Sequence, residues 1–424
     1  MDTSEASSHS LKIIEKLFDG NISSKVSVRL WDGTMWPDAS PRQATLVLNH
    51  PGSLRAMLIP GTELALAEAY IYGAIDVEGS MEAVFTLADR ILETTSDWKK
   101  KLGLALDLMR FPKPSSYLRN RRGSAQLAGH RHTIESDRKA VTYHYNISNE
   151  FYRLFLDQKM VYSCAYFKTE MDELDVAQQQ KLDYICRKLR LKPGQRLLDI
   201  GCGWGGLLLH AASHFGVEAH GITLSRPQAE LASQRIAEAG LSGRCRVDVA
   251  DYRELDEACG YEALVSVGMF EHVGENMLPS YFSKAFGLLK PGGVFLNHGI
   301  ARNSRCAVKS EPDFTDVYVF PDGELVPINR TLRAAEDSGF EVRDVESMRE
   351  HYTLTLRKWV DNLEARHGDA VEVTDETTYR IWRLYMAGSA YYFDTGKNNL
   401  YQTLLAKPYT CGNCRLPLTR SDWY

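Results

Sequence analysis

The segment LLDIGCGWGGL at residues 197–207 constrains the fold of this chain more than any other segment. A short apolar stretch ends at Asp199, and a turn with four glycines follows before a new apolar segment begins. Glycine is favoured where the backbone turns tightly and lies against a ligand, because it has no Cβ. The segment is typical of the first strand, turn and helix of an open α/β sheet, which binds a nucleotide at the carboxyl ends of its strands.

The chain from about residue 141 onward continues this pattern. Short apolar strands alternate with helices, and this order predicts a parallel, doubly wound sheet. The strands are predicted at 195–200, 217–223, 244–249, 262–268 and 293–299. Two late apolar segments, 340–347 and 399–407, are expected to complete the sheet as edge strands, with helices at 352–366 and 376–393 between them.

Residues 1–110 predict a separate, small α+β domain, because a chain of 424 residues favours two domains. Alternating apolar residues at 26–31 and 44–50 are typical of strands. Residues 111–140 contain few large aliphatic side chains and predict a linker. The nucleotide-binding domain is then expected to occupy residues 141–424.

Composition and charge exclude several classes of protein. The formal net charge of −5 argues against general binding to nucleic acids, which needs a basic surface. No apolar run approaches the roughly 18–20 residues that span a bilayer, and the N-terminal residues have no pattern of a secretory signal. Eight scattered cysteines favour reduced thiols, so a cytoplasmic protein is expected.

The CGNC motif at 411–414 lacks a second cysteine pair, which favours a flexible tail over a zinc or redox site.

The glycine-rich turn alone does not distinguish a dinucleotide from S-adenosylmethionine. An NAD site requires the spacing G-x-G-x-x-G and an acidic residue about 20 positions further on. Here the second strand ends at Thr223 without an acidic residue, and the third ends at Asp251. The Asp251 carboxylate can accept a hydrogen bond from the adenine amine while Tyr252 packs on the ring. These features favour S-adenosylmethionine, although Asp251 taken alone is explained equally well as an ordinary acid at a strand end.

Four further residues are candidates for the chemistry of the site. Cys164 lies in an aromatic segment, Glu271 follows the fourth strand, His298 ends the fifth strand, and Tyr352 begins a late helix. Each has an ordinary structural explanation when taken singly, such as a buried thiol or a surface carboxylate. Because all four are expected at one rim of the sheet, where open α/β sheets place their sites, they are predicted to act together.

These residues lie in segments that resemble the cyclopropane fatty acid synthases. The resemblance covers most of residues 141–366, and its segments are YHYNISNEFYRLFLDQKMVYSCAYF, LLDIGCGWGG, GITLSRPQ, DYREL and VSVGMFEHVG, with His298 and the Tyr352 segment. The first domain, through AEAYIYGAIDVEGSM, is similar to the amino-terminal domain of the phospholipid-modifying members. That domain is largely missing from the mycobacterial members, so the phospholipid type is the nearer relative.

The resemblance implies a class I methyltransferase-like fold and a specific reaction. A methylene from S-adenosylmethionine is added to the cis double bond of an unsaturated phospholipid acyl chain, with a bound bicarbonate ion as general base. The implied bicarbonate ligands are Cys164, Glu271, His298 and Tyr352. The predicted cofactor contacts are Tyr162, Ser163, Gly201, Gly203, Thr223, Gln228, Asp251 and Tyr252. Some relatives have Trp-Glu where this chain has Tyr252-Arg253, so the adenine contact is assigned less firmly than the glycine turn.

Other functions remain open from the sequence. The same scaffold can yield a methylene-branched acyl chain, methylate a different small molecule, or bind lipid without catalysis. Aromatic residues near the site, namely Tyr143, Tyr145, Phe167 and Phe270, are expected to face a cationic intermediate or to pack in the core.

A membrane surface is the expected partner of the chain. Residues 98–122 contain eight Lys or Arg and one Asp among apolar residues, which suits an anionic membrane and equally a solvated helix before a linker. Peripheral membrane association is therefore expected. Lipid contact and self-association, including a homodimer, are the two roles expected of the first domain.

Overall fold

The computed structural model describes residues 3–18, 25–38, 40–96, 98–112, 133–134, 137–138, 147–306, 312–321 and 323–423. The chain divides into two compact units. The first comprises Met1–Gln126, Lys309–Val319 and Thr374–Tyr391, and the second comprises Leu127–Val308, Phe320–Val373 and Tyr392–Tyr424. Most of the predicted linker at 111–140 lies outside the described residues, so its boundaries stay a prediction.

The first unit has the α+β architecture that the sequence predicts. Its four-stranded sheet has the order β2-β1-β3-β4, in which β1 and β3 are parallel and the outer pairs are antiparallel. The strands are β1 Val26–Arg29, β2 Met35–Trp36, β3 Ala44–Leu48 and β4 Ile75–Gly79. The helices are Thr3–Leu17, Ser53–Leu58, Glu63–Ile71, Met81–Ser96, Trp98–Leu108, Phe314–Tyr318 and most of Glu376–Asp394.

The helix Glu376–Asp394 is bound into the first unit by two arginines. Arg383 is buried, and its guanidinium donates to the Tyr70 hydroxyl at 3.0 Å and to the carbonyl oxygens of Val77 at 3.3 Å and Gly79 at 3.2 Å. Arg380 donates to the Tyr70 carbonyl at 3.0 Å. A buried guanidinium is stable only when its donors are satisfied, so these bonds fix this late segment against β4.

The second unit contains a seven-stranded sheet with the order β10-β11-β9-β8-β5-β6-β7. The strands are β5 Arg196–Ile200, β6 Glu218–Thr223, β7 Cys245–Val249, β8 Tyr261–Val267, β9 Leu289–Arg302, β10 Glu341–Ser347 and β11 Asn398–Ala406. The pairs from β9 through β7 are parallel, as predicted, whereas β11 is antiparallel to both of its neighbours. The sheet is therefore mixed at one end.

The expectation that 399–407 forms an edge strand is wrong. The strand β11 lies inside the sheet between β9 and β10, and only β10 is at the edge. The polar residues Gln402 and Thr403 of this strand are both buried. Gln402 Nε2 lies 3.2 Å from His298 Nδ1, so one end of this buried amide has a partner inside the protein, whereas Oε1 has none among the described residues.

Both faces of the sheet are covered, which confirms the doubly wound arrangement. Consecutive residues such as Leu197 and Leu198, or Phe295 and Leu296, point into different core clusters. One cluster contains Leu182 of the helix Leu174–Lys188, and the other contains residues of the helix Leu278–Leu288. The remaining helices of this unit are Asn149–Arg153, Gly206–Phe215, Arg226–Glu238, Ile328–Asp337, Arg349–Ala365 and His367–Val373.

The segment after β11 does not form the flexible tail that the sequence favours. The Trp423 side chain is 3% exposed, and both it and Cys414 belong to a core cluster of the second unit. Arg190 donates to the Asp422 carboxylate at 2.8 Å.

The cysteines are free thiols, as expected. Among the described residues, no helix is both long enough and apolar enough to cross a membrane.

Candidate active site

A cavity lies at the carboxyl ends of β5, β6, β7 and β8, where the sequence places the nucleotide. All eight residues predicted to contact the cofactor line it: Tyr162, Ser163, Gly201, Gly203, Thr223, Gln228, Asp251 and Tyr252. The turn explains the choice of glycine. Gly201 has φ +88°, and a Cβ there would lie 2.8 Å from Met269 Cβ. The backbone can therefore approach a ligand closely, and this cradle fits S-adenosylmethionine.

At the end of β6, the hydrogen-bonded side chains of Thr223 and Gln228 lie in the cavity wall. The Thr223 hydroxyl donates to Gln228 Oε1 at 2.9 Å and accepts from the Ser225 amide at 3.2 Å. Both side chains are buried. These bonds hold the Gln228 amide in the cavity wall, which the glycine turn also lines.

The predicted adenine contact at Asp251 is shared with a neighbouring arginine. The Arg253 backbone amide and Nε donate to Asp251 Oδ1 at 2.9 Å and 2.8 Å, and Nη2 donates to Oδ2 at 2.6 Å. Nη2 also donates to Asp137 at 2.8 Å. These bonds raise the pKa of Arg253 further above its ordinary value. Because Oδ2 receives a single donor from Arg253, it keeps a lone pair that can accept from an adenine amine.

Two buried charges in the cavity wall were missed by the sequence reasoning as site residues. Lys181 is 1% exposed and donates from Nζ to the Ser163 hydroxyl at 2.8 Å. Asp199 is 2% exposed, and its Oδ1 has no hydrogen-bond partner among the described residues. Burial lowers the pKa of Lys181 to about 8 and raises that of Asp199 to about 7. Lys181 lies on the buried face of its helix, four residues after Ala177, but its local sequence does not distinguish it from a solvated lysine.

The four predicted catalytic residues lie next to this cavity. Cys164 comes directly after the wall residue Ser163 in the sequence, and Glu271 comes directly before the wall residue His272. The carbonyl of His298 accepts from the amide of Gly268, another wall residue, at 3.0 Å. The Tyr352 ring contacts Trp359, which in turn contacts the wall residue Tyr162, with ring centroids 6.1 Å and 5.2 Å apart. Each of the four residues is therefore either adjacent in sequence to a wall residue or connected to one by a hydrogen bond or by ring contacts.

A chain of backbone contacts connects three of them. Cys164 Sγ lies 3.8 Å from the Met348 carbonyl, which also accepts from the Tyr352 amide at 3.1 Å. The Met348 amide donates to Leu400, which pairs with Ile300 across β11 and β9. The Ile300 amide donates to Glu271 Oε1 at 2.7 Å. The fold therefore gathers Cys164, Tyr352 and Glu271 around the ends of β9 and β11.

The position of His298 differs from the prediction. The strand β9 does not end there but continues to Arg302, and only its parallel pairing with β8 stops at His298. The later residues are held by the antiparallel partner β11, which the sequence did not predict as an inner strand. His298 still lies at the carboxyl end of the parallel part of the sheet.

Two buried polar atoms of this group have no partner among the described residues, namely Glu271 Oε2 and His298 Nε2. Gln402 Nε2 lies 3.2 Å from His298 Nδ1; with this orientation of the amide, Nδ1 is assigned as the acceptor and the ring proton is assigned to Nε2. Burial lowers the pKa of His298, so the ring is neutral, and raises that of Glu271 to about 7. Buried polar atoms are rarely unsatisfied, so a donor and an acceptor here are typical of a site for a small polar ligand.

The side chains of Cys164 and Tyr352 are buried as well. Cys164 is fully buried, and its thiol donates to the Ala165 carbonyl at 3.2 Å. Burial raises the pKa of this thiol well above its ordinary value, so it acts as a neutral donor and not as a thiolate nucleophile. The buried Tyr352 ring packs 4.7 Å from Phe393.

The aromatic residues named from the sequence divide between the core and the undescribed part of the chain. Phe270 and Phe167 are buried, and Phe270 packs 5.9 Å from Tyr281. Tyr143 and Tyr145 lie outside the described residues. A role for any of them beside a cationic intermediate stays a prediction.

The chain is similar to proteins of one known family. The model of the family "Mycolic acid cyclopropane synthetase" matches residues 132–403. The chain belongs to this family. A second model, a domain of unknown function, matches residues 13–96 within the first unit.

Relatives in the family carry names for two kinds of product. A "Probable fatty acid methyltransferase" of Pseudomonas putida is 39% identical over 94% of this chain and 95% of its own length. The cyclopropane-fatty-acyl-phospholipid synthase of Escherichia coli strain K12 is 35% identical over 62% of this chain and 66% of its own.

A solved structure of the family supports the cofactor. The mycolic acid cyclopropane synthase CmaA1, in a complex with SAH and CTAB, has a TM-score of 0.60 and 34% identity, and the match covers 63% of this chain and 97% of that one. The chain is thus a methyltransferase of the cyclopropane synthase family, with S-adenosylmethionine as methyl donor. This excludes the dinucleotide that the sequence left open.

Proposed function

We propose that this enzyme adds a methylene from S-adenosylmethionine to the cis double bond of an unsaturated phospholipid acyl chain, with a bound bicarbonate ion as general base. The observation that carries the proposal is the pair of buried, unpartnered atoms Glu271 Oε2 and His298 Nε2 beside the cofactor cavity. Glu271 accepts from Ile300, which lies two residues after His298 on the same strand. A buried hydrogen-bond donor and an acceptor on these neighbouring residues suit an ion that has both a hydroxyl and negatively charged oxygens.

The reaction explains why such a site is needed. An isolated alkene has no acidic proton, so a base cannot activate it, and the sulfonium methyl supplies the electrophile. Transfer leaves positive charge on the acyl chain, and ring closure requires loss of a proton from the added methyl group. The base must lie within hydrogen-bond reach of that group, away from bulk water that would trap the cation.

The side chains of the group divide this task. The neutral His298 donates from Nε2, and Glu271 in its carboxylate form accepts the hydroxyl proton of the bound anion. The Tyr352 hydroxyl orients the same ion, and the Cys164 thiol supplies a neutral polar contact. A bicarbonate ion bound by these residues supplies a small, mild base. The surrounding aromatic residues, including Trp359 and Phe393, exclude water from this pocket.

A 1,2-hydride shift that moves the positive charge onto the methyl-bearing carbon, followed by proton loss from the added methyl group, would give a methylene-branched acyl chain. The Pseudomonas putida relative, which matches nearly the full chain, is named a probable fatty acid methyltransferase, and methyl transfer to an acyl chain is the step that both products share. The two reactions share the methyl transfer and differ in whether a hydride shifts before the added methyl group loses its proton.

Incubation with S-adenosylmethionine and vesicles of unsaturated phospholipid tests the proposal. We expect fatty esters heavier by one CH₂ group, with the high-field ring protons of a cyclopropane in the NMR spectrum. We also expect the rate to fall in bicarbonate-free buffer and to recover when bicarbonate is added. An exocyclic methylene signal would establish the branched product instead, and unchanged esters from protein that binds SAH would refute a phospholipid acceptor.

We further propose that the helix Trp98–Leu108 contacts an anionic membrane surface. Leu106 and Met109 are 59% and 58% exposed, and Arg110 is exposed beside them. Lys99, Lys100 and Lys101 precede them in the sequence. Exposed apolar side chains next to basic residues match the chemistry of an anionic bilayer interface.

Liposome flotation tests this contact. We expect the protein to float with vesicles that contain phosphatidylglycerol more than with neutral vesicles, and salt to weaken that preference. Leu106→Gln combined with Met109→Gln should reduce flotation with both kinds of vesicle, whereas Leu418→Gln, at another exposed apolar residue, should not. Equal flotation of the unsubstituted protein with both vesicles would refute the electrostatic part.

A further inference from the structure

The buried ammonium group of Lys181 has no place in the chemistry described so far. It lies in the wall of the cofactor cavity, on the helix Leu174–Lys188. Among the residues that the structure describes, the hydrogen-bond partner of Nζ is the Ser163 hydroxyl at 2.8 Å. An ammonium group has three N–H donors, and burying it without an anionic partner is costly. Its remaining donors therefore favour an anion in the cavity.

The carboxylates of the protein near Lys181 are not positioned as direct partners. Asp157 is buried, but its carboxylate accepts from the backbone amides of Val161 at 2.8 Å and Lys159 at 2.9 Å. Asp199 acts on Lys181 through space and keeps an unpartnered Oδ1. The wall thus presents one cation and one anion that form no ion pair with each other within the described residues.

This arrangement matches the amino-acid end of the methyl donor. We propose that Lys181 binds the α-carboxylate of the methionine part of S-adenosylmethionine, with Ser163 as the shared hydrogen-bonding neighbour. The inference rests on the assigned cofactor and on no particular acyl acceptor. The methionine part carries an ammonium and a carboxylate, and Asp199 supplies the opposite charge for the ammonium. Lys181 would thereby fix the direction in which the sulfonium methyl points.

The alternative is that Lys181 only supports the fold through Ser163. The two roles differ in what they demand of the ligand. A carboxylate contact affects ligands that have the carboxylate, whereas a structural role affects every ligand of the cavity equally. Truncated ligands therefore separate the two roles.

Calorimetric binding to the full chain makes this comparison. The three probes are SAH, its decarboxylated analogue, and 5′-methylthioadenosine, which lacks the whole amino-acid end. For Lys181→Met we expect the SAH affinity to fall about 10- to 100-fold, since hydrogen bonds to charged groups are the strong ones. The affinities for the two probes without a carboxylate should stay within about threefold of the unsubstituted protein.

A second variant keeps the test informative if Lys181→Met folds poorly. Lys181→Gln retains a donor for Ser163 but removes the charge, and it should show the same selective loss of SAH affinity. Equal loss for all three probes, or an unchanged SAH affinity in either folded variant, would overturn the proposal. Failure of the unsubstituted protein to bind SAH would instead overturn the cofactor assignment and this role together.

Discussion

Glu271→Gln is expected to lower the rate of product formation by about 10²- to 10⁴-fold, the range typical of losing one acid–base group. Glutamine has nearly the same shape but presents an amide where the proposal needs a carboxylate acceptor. The affinity for SAH, measured by calorimetry, should stay within about threefold because Glu271 is not in the cavity wall. Gln228→Leu is the converse control, since Gln228 lines the cavity and its loss should weaken SAH binding. A lost SAH affinity in Glu271→Gln would show that Glu271 is misassigned.

The same substitution has a second readout that needs no substrate. Burial raises the pKa of Glu271 to about 7, above its ordinary value near 4.5. The folded state therefore holds this proton more tightly than the unfolded chain. The contribution of the protonated Glu271 carboxyl to the free energy of unfolding is fully present below pH 4.5. It is lost as the pH rises through 7, by at most about 3 kcal/mol. Urea unfolding in bicarbonate-free buffer at pH 5 and pH 8 should show this loss in the unsubstituted protein and less of it in Glu271→Gln.

Gly201→Ala is expected to weaken SAH binding by about 10- to 100-fold. The backbone at Gly201 has φ +88°, which costs an L-residue about 1–2 kcal/mol, and the new Cβ would lie 2.8 Å from Met269 Cβ. Met269 lines the cavity, so the displaced side chain also alters the wall. Calorimetry with SAH and thermal unfolding measure the two effects separately.

Gly240→Ala is the matched control for this substitution. Gly240 has φ +68° and open space where its Cβ would be, and it does not belong to the cavity wall. It should lose stability through the same backbone strain while keeping its SAH affinity. If both variants bound SAH as the unsubstituted protein does, the glycine turn would not be the cofactor cradle.

Local sequence patterns were sufficient to predict the parallel part of the sheet. Apolar runs separated by helices mark β5 to β9 within a few residues, because central parallel strands are buried on both faces and have few polar residues. The glycine turn identified the cavity, since positive φ at Gly201 and Gly205 leaves little choice of residue. Cys164, Glu271, His298 and Tyr352 were selected from their places near strand ends and in aromatic segments, but their role as bicarbonate ligands came only from resemblance, and it stays a prediction.

The features that were missed depend on contacts between distant parts of the chain. The strand β11 was predicted at an edge but lies between β9 and β10, where its Gln402 contacts His298, 104 residues away in the sequence. Lys181 looks like a solvated lysine until the fold places it beside Ser163. Local patterns report which face of an element is apolar, but not which buried polar residue finds a partner.

The helix Glu376–Asp394 has a consequence for how this protein is made. A ribosome completes residues 1–126 long before it reaches Arg383, whose guanidinium caps the Tyr70 hydroxyl and the carbonyls of Val77 and Gly79. Domains generally fold as units during synthesis, starting from the N-terminus. The first unit therefore lacks these hydrogen bonds until residues 374–391 have been synthesised. A chain terminated before Arg383 would leave the carbonyls of Val77 and Gly79 without them.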